Sequence, residues 1–249
     1  MFSPSRLAIA RKRRGLTLTR LAEVTGLSTH TLSVYENGHQ VPSEESLVLL
    51  AETLEVAPAF LAAPDTDELP ADAVSFRALS KMTARQRDRA LSSGAVALLI
   101  NEWIDERFRL PGPDMPSLTG QDPEAAAEMV RARWGLGERP STNVLHLLEA
   151  HGVRIYSLTA ENRELDAYSL CWRGQPFIFL NTTKSGERGR FDAAHELGHL
   201  VLHGEYQVAS SRACCRTGRQ PLRCRLPHAS RQRPCTRAPQ CNTAQDPER

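Results

Sequence analysis

Over its first sixty residues the chain carries short apolar clusters at helical spacing, broken by single polar or glycine stops. Leu7 and Ala10 share one face of a helix predicted over Ser5–Arg14, which Gly15 ends. Thr17 caps a second helix carrying Leu18, Leu21, Ala22 and Val24, closed by Gly26. Ser28 caps a third, with Leu32 and Tyr35 turned inward, ending at Asn37-Gly38. Ser43 opens a fourth, packed through Leu47, Leu50, Ala51 and Leu54, and Pro58 begins a short fifth.

A polar stretch, Pro64 to Pro70, then interrupts the pattern. It divides the chain into a helical domain over 1–63, a linker over 64–74 and a second domain over 75–211, followed by a tail over 212–249. After Ser75–Leu79 a long helix is expected to reach about Arg109, with Ala95, Leu98, Leu99 and Trp103 facing a core. Pro111-Gly-Pro113 ends it. Asp122-Pro123 opens a helix through Trp134, and another runs from Ser141 to Ala150, ended by Gly152.

The period then changes. Val153–Ser157 alternates like a strand, and Ala167–Arg173 and Pro176–Asn181 read as two more, joined by a hairpin turn at Arg173-Gly174-Gln175. A last helix over Arg190–His203 has Phe191, Ala194, Leu197, Leu200 and Val201 as apolar residues for burial. The expected class is α+β: an N-terminal all-α helix-turn-helix domain, then a helical region and a small sheet packed on that last helix.

The last helix also carries the chain's most specific chemistry. It reads His195-Glu196-Leu-Gly-His199, a His-Glu-x-x-His motif. Residues four apart stack on one face of a helix, so His195 and His199 can offer ring nitrogens to one ion. Glu196 lies beside them, placed to take a proton from a metal-bound water, and Gly198 is expected to clear space beside the ligands. Two neutral imidazoles, a third ligand from elsewhere, an open position and a carboxylate base make the arrangement of a zinc peptidase. Zn2+ is therefore the expected cofactor, with Glu196 catalytic.

The second and third helices, joined by the tight Gly26 turn, make a helix-turn-helix whose second member would lie in a DNA major groove. Ser28, Thr29, His30, Thr31 and Ser33 are small and polar, suited to base edges and phosphates. Thr17, Arg20 and Asn37 complete the candidate DNA-binding set, and Arg11, Lys12, Arg13 and Arg14 can add backbone contacts. Residues 1–63 hold six basic and six acidic side chains, so charge alone leaves a small helical bundle for protein contacts as an alternative.

Composition sharpens the domain picture. A chain of 249 residues with 41% hydrophobic content can build two small cores. The longest strictly apolar run, Ala95 to Ile100, is too short to span a bilayer, and the N-terminus has no export-type apolar run. A cytoplasmic protein without membrane contact is expected. The net charge of +2 hides a split: residues 212–249 hold nine Arg against Asp246 and Glu248, a local +7, leaving −5 for the rest. Five of the six cysteines crowd that tail without any Cys-x-x-Cys pair, so neither a zinc ribbon nor a disulfide framework is expected.

The segment GLTLTRLAEVTGLSTHTLSVYENGHQVPSEESLVLLAETLEV resembles the XRE/Cro-type helix-turn-helix of phage repressors. It departs at Leu18, where the family often has a phosphate-contacting Gln. The resemblance implies binding to a double-stranded DNA operator, and paired half-sites imply a homodimer. The strand PFIFLNTT and the stretch GRFDAAHELGHLVLHGE resemble the ImmA/IrrE family of metallopeptidases. That resemblance implies His195 and His199 as zinc ligands, Glu196 as general base and a repressor protein as substrate. A DNA-binding repressor with a degenerate, non-catalytic peptidase domain is the alternative.

The family's third ligand is a Glu on a later helix, of the form Glu-x-x-Ala-Asn-x-Phe-Ala-x-x-Leu-Met-Pro. Residues 204–249 do not show it; His203 and Glu205 are the nearest substitutes. The tail lacks hydrophobic periodicity and is expected to be disordered. Read one nucleotide later, synonymous codons for Gln220–Ala229 permit Ser-Arg-Phe-Ala-Ala-Ala-Phe-Leu-Met-Pro. A slip of the reading frame between about residues 204 and 215 is the expectation that follows.

Overall fold

The computed structural model describes residues 2–67, 69, 82–141, 143–158 and 165–203. Five helices come first: α1 (Pro4–Arg13), α2 (Leu18–Thr25), α3 (Thr29–Glu36), α4 (Glu44–Leu54) and α5 (Pro58–Leu61). Then follow α6 (Ala84–Asp105), α7 (Pro123–Arg133), α8 (Val144–Ala150), β1 (Arg154–Ser157), β2 (Ala167–Trp172), β3 (Gln175–Leu180) and α9 (Gly186–Leu202). This is the α+β architecture expected, with the first helices gathered into their own domain.

Hydroxyl caps set the helix starts. Ser3, Thr17, Ser28, Ser43 and Thr83 each accept from the amide three residues on, satisfying donors the helix leaves free. Thr83 and Gln86 form a full capping box. Gly26 closes α2 in the left-handed region. Leu7, Ala10, Leu21, Leu32, Tyr35, Leu50, Ala51, Leu54 and Leu61 then bury together as one core. Val24, placed with the apolar residues of α2, is exposed instead.

α1 is buried on two sides. Leu7 and Ala10 belong to the N-terminal core, whereas Ile9 belongs to a second core with Ala90, Ala95 and Leu98 of α6 and Tyr168, Leu170, Phe177 and Phe179 of the sheet. At its C-terminal end the Arg89 side chain donates from Nη2 to the Arg14 carbonyl at 3.2 Å. A Cβ on Gly15 would collide with that guanidinium. At the other end Ser3 and Ser5 donate to Asp65 at 2.6 and 2.8 Å, and Arg6 donates to the Pro64 carbonyl at 2.6 Å. Residues 64–67, read as polar linker, are thus tied back to α1, and Leu69 is buried in the second core.

The sheet has order β1-β3-β2, with β1 parallel to β3 and β2 antiparallel to it. The β2–β3 turn is the two-residue Arg173-Gly174, both at positive φ (51° and 80°), so Gln175 belongs to the strand. Every residue of β2 except Trp172 is buried, because both faces are covered. Tyr168 and Leu170 face α6; Ala167 packs with Ile178 and Leu180 toward α8 and α9. Tyr168 approaches α6 so closely that a Cβ on Gly94 would stand 2.8 Å from its hydroxyl. That hydroxyl donates to the Ala90 carbonyl at 3.0 Å, and burial pushes its pKa up.

Some boundaries differ from the expected ones. α6 stops at Asp105 rather than near Arg109, a turn ahead of Pro111, and Trp103 is exposed under the Arg107 guanidinium at 4.4 Å rather than in a core. α8 starts after Asn143, whose side chain accepts from Leu145 and His146, and not at Ser141. α9 begins at Gly186, capped by Ser185, a turn earlier than Arg190. The expectations on Ser75–Leu79 and on residues 212–249, including the slipped frame, lie outside the described residues.

Because Ile9 belongs to the second core, the two cores should melt together. Ile9→Ala is expected to cost about 2–4 kcal/mol, read by urea unfolding with circular dichroism, within one cooperative transition. Two separated transitions would mean that the helical unit folds independently of the sheet.

Candidate metal centre and DNA-facing helices

α9 carries the metal-type residues because its two sides meet different surroundings. Ala193, Leu200 and Val201 are buried, the first two against the sheet-side core, while His195 stays exposed and His199 half-buried. Phe191 and Ala194 were expected to be buried and are exposed, Phe191 to 62%. Phe191 lies parallel to the His195 ring at 6.4 Å, beneath the Arg188 guanidinium. It belongs to the imidazole face, one turn before His195.

The two imidazoles converge. His195 Nε2 and His199 Nε2 stand 3.1 Å apart, close to the spacing of about 3.3 Å that two nitrogens take on one tetrahedral zinc. One carboxylate oxygen of Glu196 and one nitrogen of each ring all lie within 4.8 Å of one another. The donor set suits a divalent ion with borderline preferences. Residues present therefore fit two ligands and a neighbouring base. His203 forms the C-cap of α9, its ring 5.3 Å from that of His199 and outside the converging group. Glu205 lies outside the described residues. A Cβ on Gly198 would meet no described atom within 4 Å, so the space beside Gly198 is open among those residues.

Glu196 is 3% exposed, and Ser169, 2% exposed, donates to its Oε2 at 2.6 Å. Ser169 was not among the residues that the sequence marks as functional. The signal was the alternation of β2, which puts residues 167, 169 and 171 on one face, but nothing local says that this face meets α9. Asp192 was also missed: it is buried and paired with Arg188 at 3.1 Å, and Arg188 reaches Asp166 at 2.7 Å. This pairing anchors the first turns of α9 to the segment that leads into β2.

In the N-terminal domain, Thr17 and Ser28 are exposed caps of α2 and α3. Thr29 and His30 are exposed on the first turn of α3; Thr31 is half-buried and its hydroxyl meets Ser28 Oγ at 2.8 Å. Asn37 donates to the Ser33 carbonyl and hydroxyl, and Arg20 pairs with Glu23 at the surface at 2.7 Å. The basic run of α1 is placed otherwise than expected. Arg11 makes a bidentate pair with Glu36 at 2.6 and 2.8 Å, Arg14 pairs with Glu55 and donates to the Leu54 carbonyl, and Lys12 lines a crevice with Asp88 of α6. Arg11 and Arg14 are thus engaged within the domain.

A capped helix pair with an exposed polar second helix has the form of a helix-turn-helix, and converging histidines beside a buried glutamate form a group that could hold a metal ion. The comparisons agree on both. Residues 7–61 match the family model described as Helix-turn-helix, and residues 148–223 match the one described as IrrE N-terminal-like domain. The second match runs past residue 211, where the metallopeptidase-like domain was expected to end. No curated protein and no solved structure matches the chain. Among the described residues no helix is long and apolar enough to cross a membrane.

Purified protein is expected to carry about one zinc per chain, measured by mass spectrometry of the metal after gel filtration. His195→Ala and His199→Ala should each lose it. Retention of zinc by both variants would place the metal elsewhere.

Proposed function

We propose that the chain is a DNA-binding transcriptional regulator whose second domain is a zinc-dependent endopeptidase, acting on a repressor protein. The convergence of His195 and His199 beside buried Glu196, in a chain that also matches a helix-turn-helix, carries this reading. His195 and His199 would hold the ion through Nε2. Zinc bound there supplies Lewis-acid polarisation of the scissile carbonyl. Glu196 accepts a proton from the attacking water and returns it to the departing amine. The third ligand that the resemblance implies, a Glu on a later helix, has no counterpart in residues 204–249 as the sequence stands.

On the DNA side, the exposed first turn of α3 offers Thr29 and His30 to base edges, with Ser28 at the cap and Thr31 and Ser33 behind. Thr17, Arg20 and Asn37 are exposed nearby on α2 and at the end of α3 and would add phosphate contacts. The helix-turn-helix resemblance implies a homodimer reading paired half-sites, and a cytoplasmic location suits a DNA partner.

Glu196→Gln is expected to keep its zinc and to lose hydrolysis of a fluorogenic peptide library by about 10²–10⁴-fold. A protein that selects an operator yet shows no Glu196-dependent hydrolysis is instead a repressor with a non-catalytic domain. On DNA selected from a random pool, His30→Ala should cost about 1–3 kcal/mol and relax the preferred sequence. Arg20→Ala should weaken binding evenly across sequences and lower the salt slope by about 1. Unchanged binding in both would move the interface off α2 and α3.

A further inference from the structure

We propose that Ser169 is the positioning residue of Glu196, holding the general base from the sheet while the helix holds the metal ligands. The inference rests on the endopeptidase reading and deepens it. His195 and His199 are set by one helix turn. Glu196, between them in sequence, points to the buried side of the same helix, where only tertiary structure can orient it. A glutamate has three rotatable side-chain bonds, and a carboxylate nine-tenths removed from water needs a donor to remain charged.

Ser169 is that donor. Its Oγ lies 2.6 Å from Glu196 Oε2, within the short range of a hydroxyl bonded to a carboxylate. Its own position is over-determined. Ser169 pairs with Ile178 in the antiparallel ladder. Tyr168, next in the chain, is pinned on the opposite face by its hydroxyl bond to Ala90 and by stacking on Phe179 at 4.5 Å. Leu170 is fully buried on the other side. A donor on a rigid strand fixes one oxygen of the base against the sheet, and the rest of the carboxylate is aimed by the same constraint. Ser169 touches neither the metal nor the substrate in this arrangement; it acts through Glu196.

The test combines a stability cycle with kinetics on the full chain. Ser169→Ala is expected to lower Tm by about 3–8 °C, and by much less in a Glu196→Ala background. Ser169→Cys removes the strong donor at nearly constant volume and guards against a cavity effect. Zinc content should stay at the parent level in Ser169→Ala, Ser169→Cys and Ser169→Thr. Turnover should fall about 10–100-fold in Ser169→Ala and Ser169→Cys through kcat with KM unchanged, and Ser169→Thr should recover most of it.

Equal Tm losses in the parent and Glu196→Ala backgrounds overturn the contact. Coupling in the cycle with unchanged kcat, in an enzyme that Glu196→Gln inactivates, overturns the positioning role. If the parent itself shows no Glu196-dependent hydrolysis, the endopeptidase reading fails. The cycle then still decides whether Ser169 holds Glu196.

Discussion

The structure depends on one helix being buried twice. α1 belongs by Leu7 and Ala10 to the core of the helix-turn-helix domain and by Ile9 to the core between α6 and the sheet. The consequence is mechanical. The second helix of the helix-turn-helix, α3, is bound to α1 by the Arg11–Glu36 fork, and α1 is bound to α6 by packing and by Arg89. The helix-turn-helix and the sheet packed on α9 are therefore joined through α1, where close packing transmits displacement instead of absorbing it.

β2 continues this line to the chemistry. Alternation sends Tyr168 toward α6 and Ser169 toward α9, so adjacent residues meet opposite sides of the molecule. On the face of β2 turned to α9 Ser169 brings a hydroxyl between Ala167 and Cys171, and it meets the buried carboxylate of Glu196. A buried polar pair of this kind specifies register: sliding β2 by one residue would put Leu170 against Glu196 and leave the carboxylate without Ser169.

The metal centre divides between local and distant causes. Helical spacing alone brings His195 and His199 to 3.1 Å. They lie away from the core, His195 exposed and His199 half-buried, because the apolar residues on the other side of α9 face the sheet and α7. Phe191 falls on the imidazole side despite its hydrophobicity, because the helix phase set by Ala193, Leu200 and Val201 decides burial.

The sequence by itself determined what depends on near neighbours. Caps at Thr17, Ser28 and Ser43, the stop at Gly26, the hairpin at Arg173-Gly174 and the paired histidines were all legible, since each is an interaction spanning four residues or fewer. Tertiary structure alone decided the rest. Trp103 and Phe191 match helical periodicity yet face outward, because periodicity gives a stripe and not the partner that covers it. The basic residues of α1 read as DNA contacts but find Glu36, Glu55 and α6, at separations that no local pattern encodes. Ser169 and Glu196 stand 27 positions apart, and only the packing of β2 on α9 brings them within a hydrogen bond.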